Sequence, residues 1–423
     1  MGAPLPKDMN FRQRFESGGM GVIEKLYVQP TNGSTFAAGS SFSEFHIPGN
    51  RANTFADLNN LYIALSLTSP LNTDGTQNLD NAGVFNCVER IEVDSSSGVR
   101  IFETRGKDTL DNLKLIENMD DDDMLTMGLI AGTSNNNAAL GIEIDTTARQ
   151  FVLPIMHTSI NTKVPLIGND GLRFRIHWAA PENIVVYDAG AGTYAGLSVS
   201  ITSVALHYDV VKLSNEDMAG LYNELDGRFV ITGNDFAHQQ ESMNSTSLTA
   251  NLGFGRTKCK RIYATARTVT SLAATTAGMA ISNHSYTLTT LTNAELRFNG
   301  RLINEQSYSF STNNCAVIAA EAMKSRGGSF KNPLYGLSAV ATSAVAINAP
   351  VSDAVKGTFY LLWDLTNGLD TALGESGLDT RTGTFQLQLT ASADPAAYID
   401  IFCEYENEII LDTKADNVFR VRS

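Results

Sequence analysis

Residues 151–157 (FVLPIMH), 172–178 (LRFRIHW) and 199–213 (VSITSVALHYDVVKL) form three apolar runs. Three more follow in the same order at 359–365 (FYLLWDL), 385–391 (FQLQLTA) and 397–411 (AYIDIFCEYENEIIL). In both sets a polar, Gly-containing loop separates the first two runs. The last run passes through an aromatic-acidic stretch, His207-Tyr208-Asp209 or Glu404-Tyr405-Glu406, and finishes with aliphatic residues. The offset is about 200 residues, near the upper size of one β-sandwich or barrel. Repetition at that scale predicts two copies of one domain.

More elements pair off on either side of these runs. Residues 58–68 (LNNLYIALSLT) read as a strand, and 257–269 echo it. Residues 87–93 (CVERIEV) alternate with one expected slip or bulge, turn at Ser95-Ser96-Ser97-Gly98 and return at 99–102. Residues 294–303 (AELRFNGRLI) repeat that hairpin around Asn299-Gly300, a strong two-residue turn signal. Leu110, Leu113 and Ile116 or Leu115 share one face of a helix over 107–118, and 315–324 can form its counterpart. A helix over 215–225, capped by Ser214 or Asn215 and closed by Gly227 as a C′ glycine, lies between the repeats. The expected fold is therefore all-β: two tandem eight-stranded antiparallel jelly rolls with short inserted helices. The expected divisions are an N-terminal arm (1–20), a first jelly roll (21–213), a connector helix (214–227), a second jelly roll (228–411) and a C-terminal tail (412–423).

Composition narrows the function. Of 423 residues, 43% are hydrophobic and 18% charged, below the roughly 25% charge usual in globular proteins. Small polar residues fill the gap, which suits a surface in contact with other proteins. The net charge of −14 argues against wrapping nucleic acid, which needs a basic face. The cationic cluster Arg256-Thr257-Lys258-Cys259-Lys260-Arg261 runs straight into a predicted strand, so a charged strand entrance outweighs a phosphate site. Met1 to Lys7 contain no apolar run, so no export signal is expected. The sequons at Asn32, Asn244 and Asn283 then read as chance matches. Cys87, Cys259, Cys315 and Cys403 are scattered without a C-x-x-C pair, as expected of reduced thiols in a protein made in a reducing cytoplasm.

Catalytic readings find no support, and no catalytic, cofactor or metal residue is assigned. His46, His157, His177, His207, His238 and His284 stand singly, and strand histidines with ordinary partners outweigh metal ligands. Gly374-Glu375-Ser376-Gly377 lacks the spacing of a nucleophile elbow, and Gly253-Phe254-Gly255 lacks the third glycine of a dinucleotide loop. The run Asp120-Asp121-Asp122-Asp123 reads first as a solvated helix-end loop, then as a patch for a basic partner, and last as a cation site.

The paired hairpins (CVERIEV…GVRIF and AELRFNGRLI), the helix after each, and the paired final strands (SITSVALHYDVVKL and YIDIFCEYENEIIL) carry a resemblance covering about residues 21–411. The arrangement resembles the double jelly-roll major capsid proteins of the adenovirus–tectivirus lineage, which includes polinton-like viruses and virophages. That resemblance implies a non-enzymatic protein of an icosahedral virion shell, built from pseudo-hexagonal homotrimers and made in the host cytoplasm. It further implies neighbouring capsomers, penton and minor capsid proteins as partners, room for an internal membrane, no cofactor and no sequence-specific nucleic-acid binding. Loops such as 131–140 and 337–350, rich in small residues, would then lie outside or between subunits. A tandem β-sandwich carbohydrate-binding protein or adhesin is the alternative. Aromatic loops and an export signal would favour it, yet Trp178 and Trp363 both fall in predicted strands. A jelly-roll enzyme comes third, for want of clustered His and Glu or a facing carboxylate pair.

Overall fold

In β11 (Gly171–Trp178) Leu172, Phe174, Ile176 and Trp178 are buried, while Arg173, Arg175 and His177 are partly exposed. In β21 (Phe385–Ala391) Phe385, Leu387, Leu389 and Ala391 are buried against Gln386, Gln388 and Thr390. This two-residue period gives each strand one core face and one wetter face. The computed structural model describes residues 22–69, 75–80, 82–118, 127–133, 142–166, 171–189, 198–268, 290–303, 307–309, 360–366, 377–412 and 418–422.

The first repeat's larger sheet runs β1 (Val22–Val28), β13 (Ser200–Lys212), β4 (Thr54–Thr68), β10 (Lys163–Pro165). Strand β9 (Arg149–Pro154) also pairs with β4, and β2 (Thr35–Ala37) with β13. Its partner sheet runs β3 (Phe42–Pro48), β11, β6 (Val88–Ser95), β7 (Arg100–Arg105). The second repeat has β14 (Arg228–Met243), β22 (Ala397–Asp412), β16 (Cys259–Thr268), β20 (Leu361–Asp364) in one sheet. Its other sheet is β15 (Ser247–Leu252), β21, β17 (Leu291–Phe298), β18 (Arg301–Leu302), with β19 (Tyr308–Ser309) on β17. Set side by side, β1-β13-β4-β9 matches β14-β22-β16-β20, and β3-β11-β6-β7 matches β15-β21-β17-β18. Eight strands correspond one to one in the same order, all antiparallel. The fold is two tandem jelly rolls. The runs at 151–157 and 359–365 supply the equivalent strands β9 and β20.

The local signals resolve into specific turns and caps. Asn299 (φ 50°) and Gly300 (φ 81°) carry the paired positive φ of a type I′ turn between β17 and β18. The expected slip falls at Glu89 of β6, which is skipped as the pairing with β11 passes from His177↔Arg90 to Trp178↔Val88, and Cys87 closes a 3-10 turn (Gly83–Cys87) just before that strand. Of the helices, α1 spans Lys107–Asn118, α2 Pro181–Ile184 and α3 Asn215–Glu224. The Ser214 hydroxyl accepts from the Asp217 N–H at 3.1 Å and caps α3. At the other end the Gly227 N–H donates to the Tyr222 carbonyl at 3.0 Å and the Asp226 N–H to the Asn223 carbonyl at 3.4 Å. This is a Schellman closure in which Asp226 (φ 51°), rather than the expected Gly227, takes the C′ position.

Two features have no counterpart in the sequence reading. A small sheet, β12 (Val185–Ala189), β5 (Gly75–Leu79), β8 (Glu143–Ile144), joins three short segments without strong alternation. Residues 418–422, within the expected tail, form β23 (Val418–Arg422) and pair with β22 from Glu408 to Asp412. The helix expected at 315–324, the acidic run 120–123, the loop 337–350, His284 and Cys315 lie outside the described residues, as does all of 131–140 after Thr133.

Candidate assembly interface

The ladder between β14 and β22 is unbroken over sixteen residues, from Arg228↔Asp412 to Met243↔Ala397. One end feeds Phe229, Ile231, Ile409 and Leu411 into the first repeat's core, where Phe229 meets Phe55 edge-on. The other end places Phe236, Met243, Ile399 and Ile401 in the second core. Helix α1 divides its side chains in the same way. Leu115 faces the first core, while Leu110 and Leu113 belong to the second. Amphipathicity predicts the helix from sequence, but the rest of the second core it serves begins only at Phe236, more than a hundred residues further along the chain.

The junction itself is polar and almost dry. The Lys114 ammonium donates to the Tyr263 hydroxyl at 2.7 Å, lies 4.3 Å from that ring's centre and stands 3.6 Å from Glu404. The Tyr263 hydroxyl in turn donates to Glu404 at 3.0 Å. Burial pushes the Glu404 carboxyl up, yet Lys114, Arg261, Tyr263 and Lys260 together hold it below the usual range. Asp235 accepts from the Ser159 N–H (2.8 Å), the Ser159 hydroxyl (2.7 Å) and Asn407 (2.6 Å), and burial raises its carboxyl despite these donors. Gly233 permits this approach, because a Cβ there would lie 2.6 Å from the Ser159 Cα. Asp400, fully buried, receives His238 (2.9 Å), Gln240 (2.9 Å) and Arg267 (2.8 Å), and Arg267 reaches Asp108 of α1 at 3.9 Å. Removing one partner from such buried ionic sets strands an unpaired charge, at a cost of about 3–5 kcal/mol.

Several of the single histidines have structural partners. His46 pairs with the Ser96 hydroxyl at 2.9 Å, and His177 sits 3.3 Å from Glu92. His207 stacks between Tyr27 and Tyr62, with centroids 5.6 and 4.7 Å away. Burial first, then Lys107 and Lys114, pushes the His157 ring well below its usual pKa. Among the described residues no group of three or more His, Cys, Asp or Glu is placed to hold a metal. The 256–261 cluster is matched by acids: Lys258 pairs with Glu406, Arg261 with Glu404 (3.5 Å), and Arg256 lies 4.4 Å over the Tyr405 ring. On the outward side of the β3-β11-β6-β7 sheet, Arg90, Arg100 and Arg175 interlock with Glu44, Glu92, Asp94 and Glu103. These faces are internally neutralised, and ion pairing of this kind leaves little net field for a phosphate backbone.

Apolar exposure concentrates at strand edges. Among the described residues β1 is the edge strand of its sheet, and it shows Val22, Ile23 and Tyr27 at 58, 65 and 62% exposure. Its counterpart β14 is also an edge and exposes Val230. Open edges present unpaired backbone donors and acceptors, which natural proteins cover or use for association. No helix in the described residues is long and apolar enough to cross a membrane.

No family model matches the chain, and no curated protein matches it in sequence. Solved structures do match, end to end. The VP54 protein of PBCV-1, fitted into a reconstruction of the virophage Sputnik, superposes with a TM-score of 0.63 at 12% identity, covering 96% of this chain and 97% of that one. A Sputnik virophage chain, from a structure of that particle by cryo-electron microscopy, gives 0.56 at 13% identity over 96% and 89% of the two chains. The mavirus major capsid protein gives 0.55 at 13% identity over 100% and 95%. These neighbours are double jelly-roll major capsid proteins, and the chain shares their fold.

Proposed function

We propose that the chain is a viral major capsid protein that assembles as a homotrimer of pseudo-hexagonal outline and tiles an icosahedral shell. The observation that carries this reading is the repeated strand order. Two matching jelly rolls per chain, three times over, give six similar outward edges around a closed ring. End-to-end likeness to capsid structures supports the same reading. Its work is structural, with no catalytic step and no cofactor.

In this reading residues 1–20 are an arm, 21–213 and 228–411 the two jelly rolls, 214–227 the connector and 412–423 the tail. The exposed edges β1 and β14 meet neighbouring copies. The arm, with Arg12 and Arg14, and the tail, with Arg420 and Arg422, face the particle interior, where basic ends suit acidic lipid heads, the genome or minor proteins. Other partners are penton and minor capsid proteins and, in particles that have one, an internal membrane. The protein is made in the host cytoplasm and ends in the virion. The test is light scattering of the purified protein together with negative-stain images. Trimers with hexagonal outlines are expected, and a monodisperse monomer at micromolar concentration would overturn the reading.

A further inference from the structure

Cys259 and Cys403 are both fully buried in the second core, and their sulfurs lie 2.6 Å apart. A local irregularity brings them together. Along β16 and β22, Ile262 stands opposite Cys403 and Arg261 opposite Glu404, but Cys259 stands opposite Tyr405 because Lys260 is skipped. In unbroken register Cys259 would face Glu406 and project from the other side of the sheet. The one-residue bulge therefore turns Cys259 onto the face that Cys403 occupies, the use of bulges to re-aim a side chain. The backbone at this point is held from both sides. The Cys259 N–H donates to the Leu378 carbonyl at 2.9 Å, and the Leu378 N–H returns to the Cys259 carbonyl at 2.8 Å. Gly377 permits the strap to sit close, since a Cβ there would lie 3.0–3.1 Å from Lys258 and Cys259 backbone atoms. Cys87, the other described cysteine, lies in the first core.

We propose that Cys259 and Cys403 form a disulfide cross-linking β16 to β22 when the chain meets a disulfide oxidant of the glutathione disulfide type. One cysteine thiolate attacks the oxidant's disulfide and expels one glutathione thiolate, leaving a mixed disulfide. The second cysteine, as its thiolate, then attacks the protein sulfur of that bond and expels the second glutathione. Two electrons pass to the oxidant, the two cysteine protons leave with the glutathione thiols, and the Cys259–Cys403 bond remains. Burial raises the Cys403 thiol well above its ordinary value, so the folded core reacts slowly. Closure proceeds while the sheet assembles or when the Leu378 strap opens. The cross-link closes a loop containing most of the second repeat, and long loops are those in which a disulfide restricts the unfolded chain most. A protein reduced where it is made would gain this bond outside the cell.

The proposal is independent of the capsid reading and is tested on the full-length protein. Purified protein is incubated with glutathione disulfide, or with dithiothreitol, at temperatures up to the onset of melting, then denatured and alkylated for intact-mass analysis. Two of the four cysteines are expected to escape alkylation after oxidation, with one proteolytic peptide pair joining Cys259 to Cys403 and a higher melting temperature than the reduced sample. A Cys87→Ser/Cys315→Ser protein should keep the link and Cys403→Ala should lose it. Four alkylated thiols after oxidation, or a link on any other pair, overturn the proposal. The mass readout applies even to a variant that folds poorly.

Discussion

Lys114, on a helix of the first repeat, donates to the hydroxyl of Tyr263 in the second at 2.7 Å, with both side chains buried. The contact ties the two jelly rolls together by chemistry as well as by shape, because Lys114 meets the counter-charge of Glu404 across the junction. Lys114→Met keeps the stem's packing and removes one cation from the acid, which retains Arg261 and the Tyr263 hydroxyl. A loss of about 1–3 kcal/mol is expected in chemical denaturation, with Glu404→Gln recovering part of it in the double variant. Strict additivity of the two changes would show that the pair is not coupled.

Gly233→Ala should act at the same junction through sterics. The added methyl meets the Ser159 backbone, which cannot swing aside as a side-chain tip would, and it strains the two hydrogen bonds that Ser159 donates to Asp235. Overpacking of this kind costs about 1–3 kcal/mol. Gly220→Ala, with open space around its Cβ on α3, should leave stability unchanged or slightly higher. Equal melting temperatures for the two variants would refute the close-approach argument.

Acid sensitivity should centre on Asp400. Burial pushes its carboxyl up, but His238, Arg267 and Gln240 outweigh burial and hold it at about 2, against an unfolded value of 3.8. A depressed folded value means that stabilisation is complete above the unfolded value and is lost as pH falls toward 2, about 2 kcal/mol in all. Asp111 runs the other way. Burial outweighs Lys107 and lifts it to about 6, so its contribution is greatest below pH 3.8 and fades as pH rises through 6. Melting temperature against pH should lose its steep acid limb in Asp400→Asn and its decline toward neutrality in Asp111→Asn. Unchanged profiles would reject both assignments.

The repeat was legible because strands with one buried face keep a two-residue period, as in 172–178 and 385–391, and because Asn299-Gly300 admits few backbone alternatives. The junction was not legible. Nothing in the sequence around Lys114, Glu404 or Asp400 marks the side chain as buried, and only the fold brings each to its partners. The bulge at Lys260 is similarly invisible. It arises from pairing between strands some 140 residues apart (Arg261↔Glu404), and it reverses the face on which Cys259 lies. In the tail, Phe419 and Val421 alternate with Arg420 and Arg422 but are too few to announce a strand without β22 beside them.

Association should dominate measured stability if the chain works as a trimer. A partner that binds only the folded chain stabilises it by mass action, so melting temperature should fall on dilution, or dissociation should be too slow to observe. Interfaces of permanent oligomers commonly exceed about 2,000 Å² and are more apolar than ordinary surface. The exposed Ile23 and Tyr27 on the open edge β1 are suited to lie in such a contact. Ile23→Lys places a charge where a neighbouring copy is expected, at a side chain that is largely exposed. The isolated fold should change by no more than about 0.5 kcal/mol, as for other surface substitutions, while the trimer population in light scattering collapses. An Ile23→Lys protein that remains trimeric, with melting independent of dilution in both proteins, would remove β1 from the interface. A freely reversible wild-type monomer under the same conditions would remove the capsid reading with it.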